Sequence, residues 1–198
     1  MHDVRALPVE DAARADLYAL LANLFYAGPT AELLQWIADA DGMAEPNSAL
    51  GRAWSDLRAA CVSATSASAI QEYDDLFVGT GRAPVSIYAS HYLSESGKEQ
   101  TLVNLRSELS RLGLERQPDA AEPEDHLAGL LDVMRHLILR GREDDAASQE
   151  GFFRSYLAPW HQAFGKAVEA QPDAFFYRQL TRLFVCFLDI EVECFQIA

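Results

Sequence analysis

The chain has 198 residues, the length of one domain or of two small ones sharing a core. Apolar residues make up 49% and charged residues 23%, which excludes a disordered or fibrous chain. Thirty acidic residues against 16 basic ones give a net charge of −14, a balance that repels a phosphate backbone or an anionic membrane and suits a cationic partner. No nucleic-acid partner is expected.

Helical periodicity dominates. Leu17, Leu20, Leu21, Leu24 and Phe25 form one apolar stripe, predicting a helix from about residue 10 to 27 that Gly28-Pro29 stops. Thr30 is placed to cap a short helix carrying Leu33, Leu34 and Ile37. Leu50, Trp54, Leu57 and Cys61 mark a third helix, and Ile70, Tyr73, Leu76 and Phe77 a fourth, ended by Gly79-Thr80-Gly81. Residues 79–98 then read as a long connection with one short helix, rich in Gly and Ser (Ser90, Ser94, Ser96, Gly97) with Tyr88, His91 and Tyr92 between them.

Leu102, Leu105, Leu109 and Leu112 predict a further helix with Gly113 as its C-terminal cap. The polar, proline-bearing run 115–122 reads as a hinge. Leu127, Leu130, Leu131, Met134, Leu137 and Ile138 run on to Gly141; Phe153 to Val168 continues the pattern, with Pro159 expected to split it. Phe176 to Leu188 is the last and most apolar stripe. With no convincing alternation, the expected fold is all-α: a bundle of roughly eight to ten helices, divided into an N-terminal part, 1–114, a hinge, 115–122, and a C-terminal part, 123–198.

Cys61, Cys186 and Cys194 lack metal-ligand or disulfide spacing and read as buried thiols in a reducing compartment. The run Met1 to Arg5, followed by Glu10, Asp11 and Asp16, has no signal-peptide pattern, and the longest strictly apolar run, Leu183–Leu188, is far short of the ~20 residues needed to span a bilayer. A cytoplasmic protein without direct membrane insertion is therefore expected.

Motifs for catalysis are few. No phosphate-loop, zinc-protease or nucleophile-elbow pattern occurs, and the residues three before His91, His126, His136 and His161 are not glutamates, so a carboxylate-bridged metal pair is not expected. Asp132 and His136 stand four apart, a spacing more typical of a surface hydrogen bond than of a ligand set. The most specific run is Glu122-Pro123-Glu124-Asp125-His126 before an apolar helix. Its acids and proline suit a first helical turn, while Asp125 and His126 at an exposed helix mouth make a donor–acceptor pair that a ligand could meet.

In order along the chain, Leu24-Phe25-Tyr26, then Tyr73-x-x-Leu76-Phe77-x-Gly79, Pro84-x-Ser86-x-Tyr88, Glu122-Pro123-Glu124-Asp125-His126-Leu127 and Leu157-x-Pro159-Trp160 resemble the TorD/DmsD family of redox-enzyme maturation chaperones. The resemblance implies an all-helical protein that binds rather than catalyses, with no cofactor or metal of its own. It implies as partner the apo-form of a molybdenum or tungsten redox enzyme and that enzyme's twin-arginine leader, held back from export while cofactor is inserted. By position, Tyr73, Leu76, Phe77 and Tyr88 match an apolar recognition patch and Asp125 and His126 its polar edge, with Pro84, Ser86 and Glu122 as further candidate client-binding residues.

The sequence departs from the family pattern at Thr80-Gly81-Arg82-Ala83, where relatives often carry tryptophan, at Val85, where they often carry glutamate, and at Tyr156, where histidine is common. The client therefore stays open. A leaderless catalytic subunit, as in the nitrate-reductase branch, is an alternative partner. Other readings are an enzyme using Asp125–His126 as an acid/base pair, and a structural adaptor without leader specificity. A hinge at 115–122 would permit either a monomer or a homodimer that exchanges its C-terminal helices.

Overall fold

The computed structural model describes residues 7–43, 45–79, 81–93, 98–117, 121–140 and 145–197. Met1 to Arg5, Thr80, Ser94, Ser96, Gly97, Pro118 to Ala120 of the expected hinge, and Gly141 lie outside the described residues. The protein is all-α, with ten α-helices and no sheet among the described residues. They are α1 (Val9–Tyr26), α2 (Ala31–Asp39), α3 (Ala49–Ser63), α4 (Ser66–Tyr73), α5 (Ala89–Leu93), α6 (Lys98–Arg111), α7 (Leu127–Arg140), α8 (Asp145–Tyr156), α9 (His161–Glu169) and α10 (Phe176–Ile197).

Local chemistry sets several boundaries. Thr30 caps α2 by accepting the Leu33 N–H at 3.2 Å. Past α6, Gly113 takes φ +74°, and the Leu114 N–H closes back onto the Leu109 carbonyl at 2.8 Å. Pro159 falls in the turn between α8 and α9, as a residue lacking an N–H and clashing with the preceding turn should. After α4 the backbone widens into a π-helical turn, Asp74–Val78, closed by Gly79 N–H donating to the Asp74 carbonyl at 2.7 Å. Gly79 sits at φ +63°, and a Cβ there would lie 3.0 Å from the Ala83 backbone, so this end of the Leu-Phe-x-Gly run needs glycine twice over.

The chain divides into two compact units. The first comprises residues 1–26 and 88–157, the second 27–87 and 158–198. Along the sequence the chain changes unit after Tyr26, Ile87 and Leu157. Stripe positions reveal that a helix has an apolar face but not which helix covers it. Here α1 pairs with α7, and α10 with α3, each partner far away in sequence.

In the first unit, Tyr18, Leu21, Leu24 and Phe25 of α1 are buried along with Leu127, Leu130, Leu131, Met134 and Leu137 of α7. The second unit is built on aromatic contacts. Phe77 stacks on Phe164 at 6.0 Å and meets Tyr177 edge-on at 5.2 Å, while Phe164 meets Trp160 and Phe184, each at 5.8 Å. Edge-to-face pairs of this kind add to the area term.

Glu72 of α4 anchors the start of α10. Its carboxylate accepts the N–H groups of Phe175, Phe176 and Tyr177 at 2.9, 3.1 and 2.8 Å. Those donors have no acceptor within their own helix, and a charged acceptor there also meets the positive end of the macrodipole. Glu72→Ala should therefore cost about 1–3 kcal/mol, and Phe77→Ala about 3–5 kcal/mol, read as shifts in urea midpoint at unchanged slope.

Candidate functional site

In the first unit the Glu122–His126 run folds against Tyr88-Ala89-Ser90. Tyr88 and His126 form an isolated antiparallel bridge. The Ala89 N–H donates to the Asp125 carbonyl at 2.9 Å, and the Ser90 N–H to the Asp125 carboxylate at 3.1 Å. Asp125 thus caps α5 from 35 residues away. Its neighbour does the same for α7: His126 precedes the helix, and its Nδ1 accepts the Ala128 N–H at 3.2 Å. That bond requires an unprotonated Nδ1, so the neutral ring carries its proton on Nε2.

Two tyrosines flank the imidazole edge-on, Tyr88 at 5.4 Å and Tyr26 at 6.3 Å between ring centroids. The Tyr88 hydroxyl donates to the Glu122 carboxylate at 2.6 Å. Glu124, which lines the same cleft as Glu122 and His126, takes a two-pronged contact from Arg106 at 2.8 and 3.1 Å. That guanidinium holds the Glu124 carboxyl below its usual range. Arg116 donates to the Glu122 carbonyl at 2.9 Å, tying the segment after α6 to the motif.

Beside this cluster opens a cleft of about 670 Å³. Ala19, Ala22, Ala128 and Gly129 give it a floor of small residues, Tyr26 and His126 contribute rings, and Glu115, Glu122 and Asp132 contribute carboxylates, with Arg116, Arg135 and His136 also on its lining. Tyr26 is 53% exposed, an aromatic face turned to solvent at the end of α1.

Of the residues singled out in the sequence, Tyr88, Glu122, Asp125 and His126 are brought together here. Asp125 and His126 are each only 2% exposed, which corrects the expectation of an exposed helix mouth. Their spacing from α7 was visible, but the second helix they serve, α5, lies too far upstream for a local pattern to show. Tyr73, Leu76, Phe77, Pro84 and Ser86 belong to the second unit. There Tyr73 and Phe77 are core, joined by an edge-to-face contact at 5.3 Å, and Leu76 is buried; Pro84 is exposed and Ser86 half-buried.

Sequence reasoning did not find Tyr26, Asn23 and Arg135 on the cleft; the pair Asp132 and His136, noticed for its spacing, lines it. No group of three or more His, Cys, Asp or Glu side chains suited to a metal ion occurs among the described residues. No helix among them is long and apolar enough to cross a membrane.

The ten helices among the described residues define an all-helical class with a solved example. The crystal structure of an Archaeoglobus fulgidus protein assigned to redox enzyme maturation superposes with a TM-score of 0.61, covering 96% of this chain and 99% of that one at 19% identity. A model of the nitrate reductase delta subunit family matches residues 44–165, more than half of the chain. The chain belongs to that family, in which its TorD-like character is plain.

Chaperone protein TorD of Photobacterium profundum is 27% identical over 130 residues, 61% of this chain and 60% of that protein. The TorD of Vibrio cholerae (strain O395) is 30% identical over 135 residues, 62% of this chain and 60% of that protein. The chain thus spans about 60% of the length of these curated relatives.

Burial pushes the His126 imidazole below its ordinary value, partly opposed by the nearby Glu122 and Asp125 carboxylates. The unfolded chain therefore takes up this proton at a higher pH than the folded chain. The neutral cap's contribution is present above about pH 6.5 and is lost as the pH falls below it. His126→Asn, whose side-chain oxygen can accept the same N–H without titrating, should flatten this acid limb. The test is the difference in urea midpoint between wild type and variant from pH 7.5 down to pH 5.

Proposed function

We propose that the protein is a chaperone dedicated to a molybdenum or tungsten redox enzyme, binding the apo-enzyme and its twin-arginine leader in the cleft of the first unit. The observation that carries this reading is the composition of that cleft: small residues on the floor, a solvent-facing tyrosine at its edge, and carboxylates of Glu115, Glu122 and Asp132 around it. A leader of this type presents adjacent arginines followed by an apolar run. A floor of alanine and glycine lets a peptide backbone approach closely, and carboxylates receive guanidinium groups in paired hydrogen bonds. The relatives named TorD are chaperones by name, and no step of this function asks for turnover. Holding the leader would delay export while the client receives its cofactor.

A net charge of −14 raises the encounter rate with a cationic leader, whereas apolar contacts set how long it stays. A second client class is favoured by the family match itself, whose description is a nitrate reductase subunit. In that branch the partner is a catalytic subunit without a leader.

Because Asp125 and His126 hold two helix starts, removing them would test folding rather than recognition. The informative variant is Glu122→Gln with Asp132→Asn, which changes charge at the cleft and leaves the caps in place. It should weaken a synthetic peptide with two adjacent arginines and an apolar run about tenfold, with helix content unchanged by circular dichroism. Wild-type affinity should fall as salt rises from 50 to 500 mM. Equal affinity in wild type and variant at every salt concentration removes the cleft from the interaction. Client capture that is unchanged after leader deletion identifies the leaderless branch.

A further inference from the structure

We propose that a groove in the second unit, between the π-helical turn and the loop before α10, binds an arginine side chain of a partner segment. The groove holds about 340 Å³ and is lined by Leu76 and Pro84 on one side and by Pro172, Asp173 and Phe175 on the other, with Glu72 and Asp75 along it. No lysine or arginine lines it. The partner chemistry alone rests on the client-binding reading; the guanidinium preference stands on the groove.

Phe175 carries the argument. Its ring is 68% exposed, although the residues on either side of it, Ala174 and Phe176, are buried. Its backbone is not loose: the Phe175 N–H is fixed to Glu72 at 2.9 Å, and Arg178 ties the same loop from behind by donating to the Gln171 carbonyl at 2.6 Å. A large aromatic face is therefore held toward solvent at a defined place, next to carboxylates. Glu72 is already engaged, its two oxygens accepting the N–H groups of Phe175, Phe176 and Tyr177. Asp75 gives one oxygen to the Gln71 amide at 2.9 Å, and Asp173 is exposed.

An exposed ring flanked by two carboxylates and two prolines suits a planar, delocalised cation. Guanidinium stacks on an aromatic face and pairs with carboxylate through a fixed fork of donors, whereas ammonium is a compact, strongly hydrated charge. The apolar walls of Leu76, Pro84 and Pro172 suit the arginine stem or an apolar neighbour. The occupant is thus an arginine next to an apolar residue, and an acidic or lysine-rich segment is disfavoured.

The test uses the full chain, labelled with nitrogen-15 and titrated with argininamide, lysinamide and the twin-arginine peptide. Argininamide should shift the backbone amides of Asp75, Asp173 and Phe175 more than twice as far as lysinamide does. Those shifts should vanish in Phe175→Ala with Asp173→Asn, whose side chains are exposed and whose loss leaves the dispersed spectrum intact. The same variant should bind the peptide about tenfold more weakly.

Shifts of equal size at the Glu32 and Asp39 face of α2 would overturn the proposal, as would shifts that survive in the variant. A peptide bound equally by wild type and variant overturns the groove while leaving the client-binding reading standing. Argininamide seated in the groove with no binding of the twin-arginine peptide supports the groove and tells against that reading.

Discussion

A helix starts with N–H groups that nothing in the same helix can accept, and a buried start must find its acceptors elsewhere. In this protein three of those starts are served by buried or half-buried side chains, two of them from a distance. Asp125 accepts the Ser90 N–H at the beginning of α5, His126 accepts the Ala128 N–H at the beginning of α7, and Glu72 accepts three N–H groups at the beginning of α10. Asp125 and Glu72 act across more than 30 residues, so each fixes a long-range register as well as satisfying a donor. Within the first unit, the adjacent pair Asp125–His126 therefore sets the start of two helices at one point, and the cleft opens beside that point.

This arrangement accounts for the residue types. A carboxylate suits a helix start because it accepts and is negative. A histidine suits it only when neutral, and burial between Tyr88 and Tyr26 keeps it so. The tyrosines do more than shield it: Tyr88 extends the network to Glu122, and Tyr26 faces the cleft. The two helix caps and a residue lining the cleft thus fall on neighbouring positions of one short run. Glu122 faces the cleft while Asp125 lies inside.

The second unit solves its problem with aromatic packing. Tyr73 and Phe77 sit one turn apart across the junction of α4 and the π-helical turn, and the widened turn aims Phe77 at Phe164 and Tyr177. Gly79 then lets the chain reverse so that the Val85 N–H reaches the Leu76 carbonyl at 3.1 Å. The Leu-Phe-x-Gly run is thereby explained as a core-and-turn device, with Pro84 left at the surface. The loop Gln171–Phe175 is shaped by Glu72 and by Arg178, which is why an exposed Phe175 can be held in place.

Helix content and most helix ends were legible in the sequence because they depend on local spacing: Thr30, Gly79, Gly113 and Pro159 act through their own backbone geometry. The ordered motifs also pointed to the family, since they record residue identity directly. What the tertiary structure alone decided was partnership. Only the fold pairs α1 with α7 and α10 with α3, helices that no local pattern links. The same reason moved Asp125 and His126 from surface to interior: an apolar stripe or a polar pair is a property of a few consecutive residues, whereas burial depends on what the distant chain lays over them.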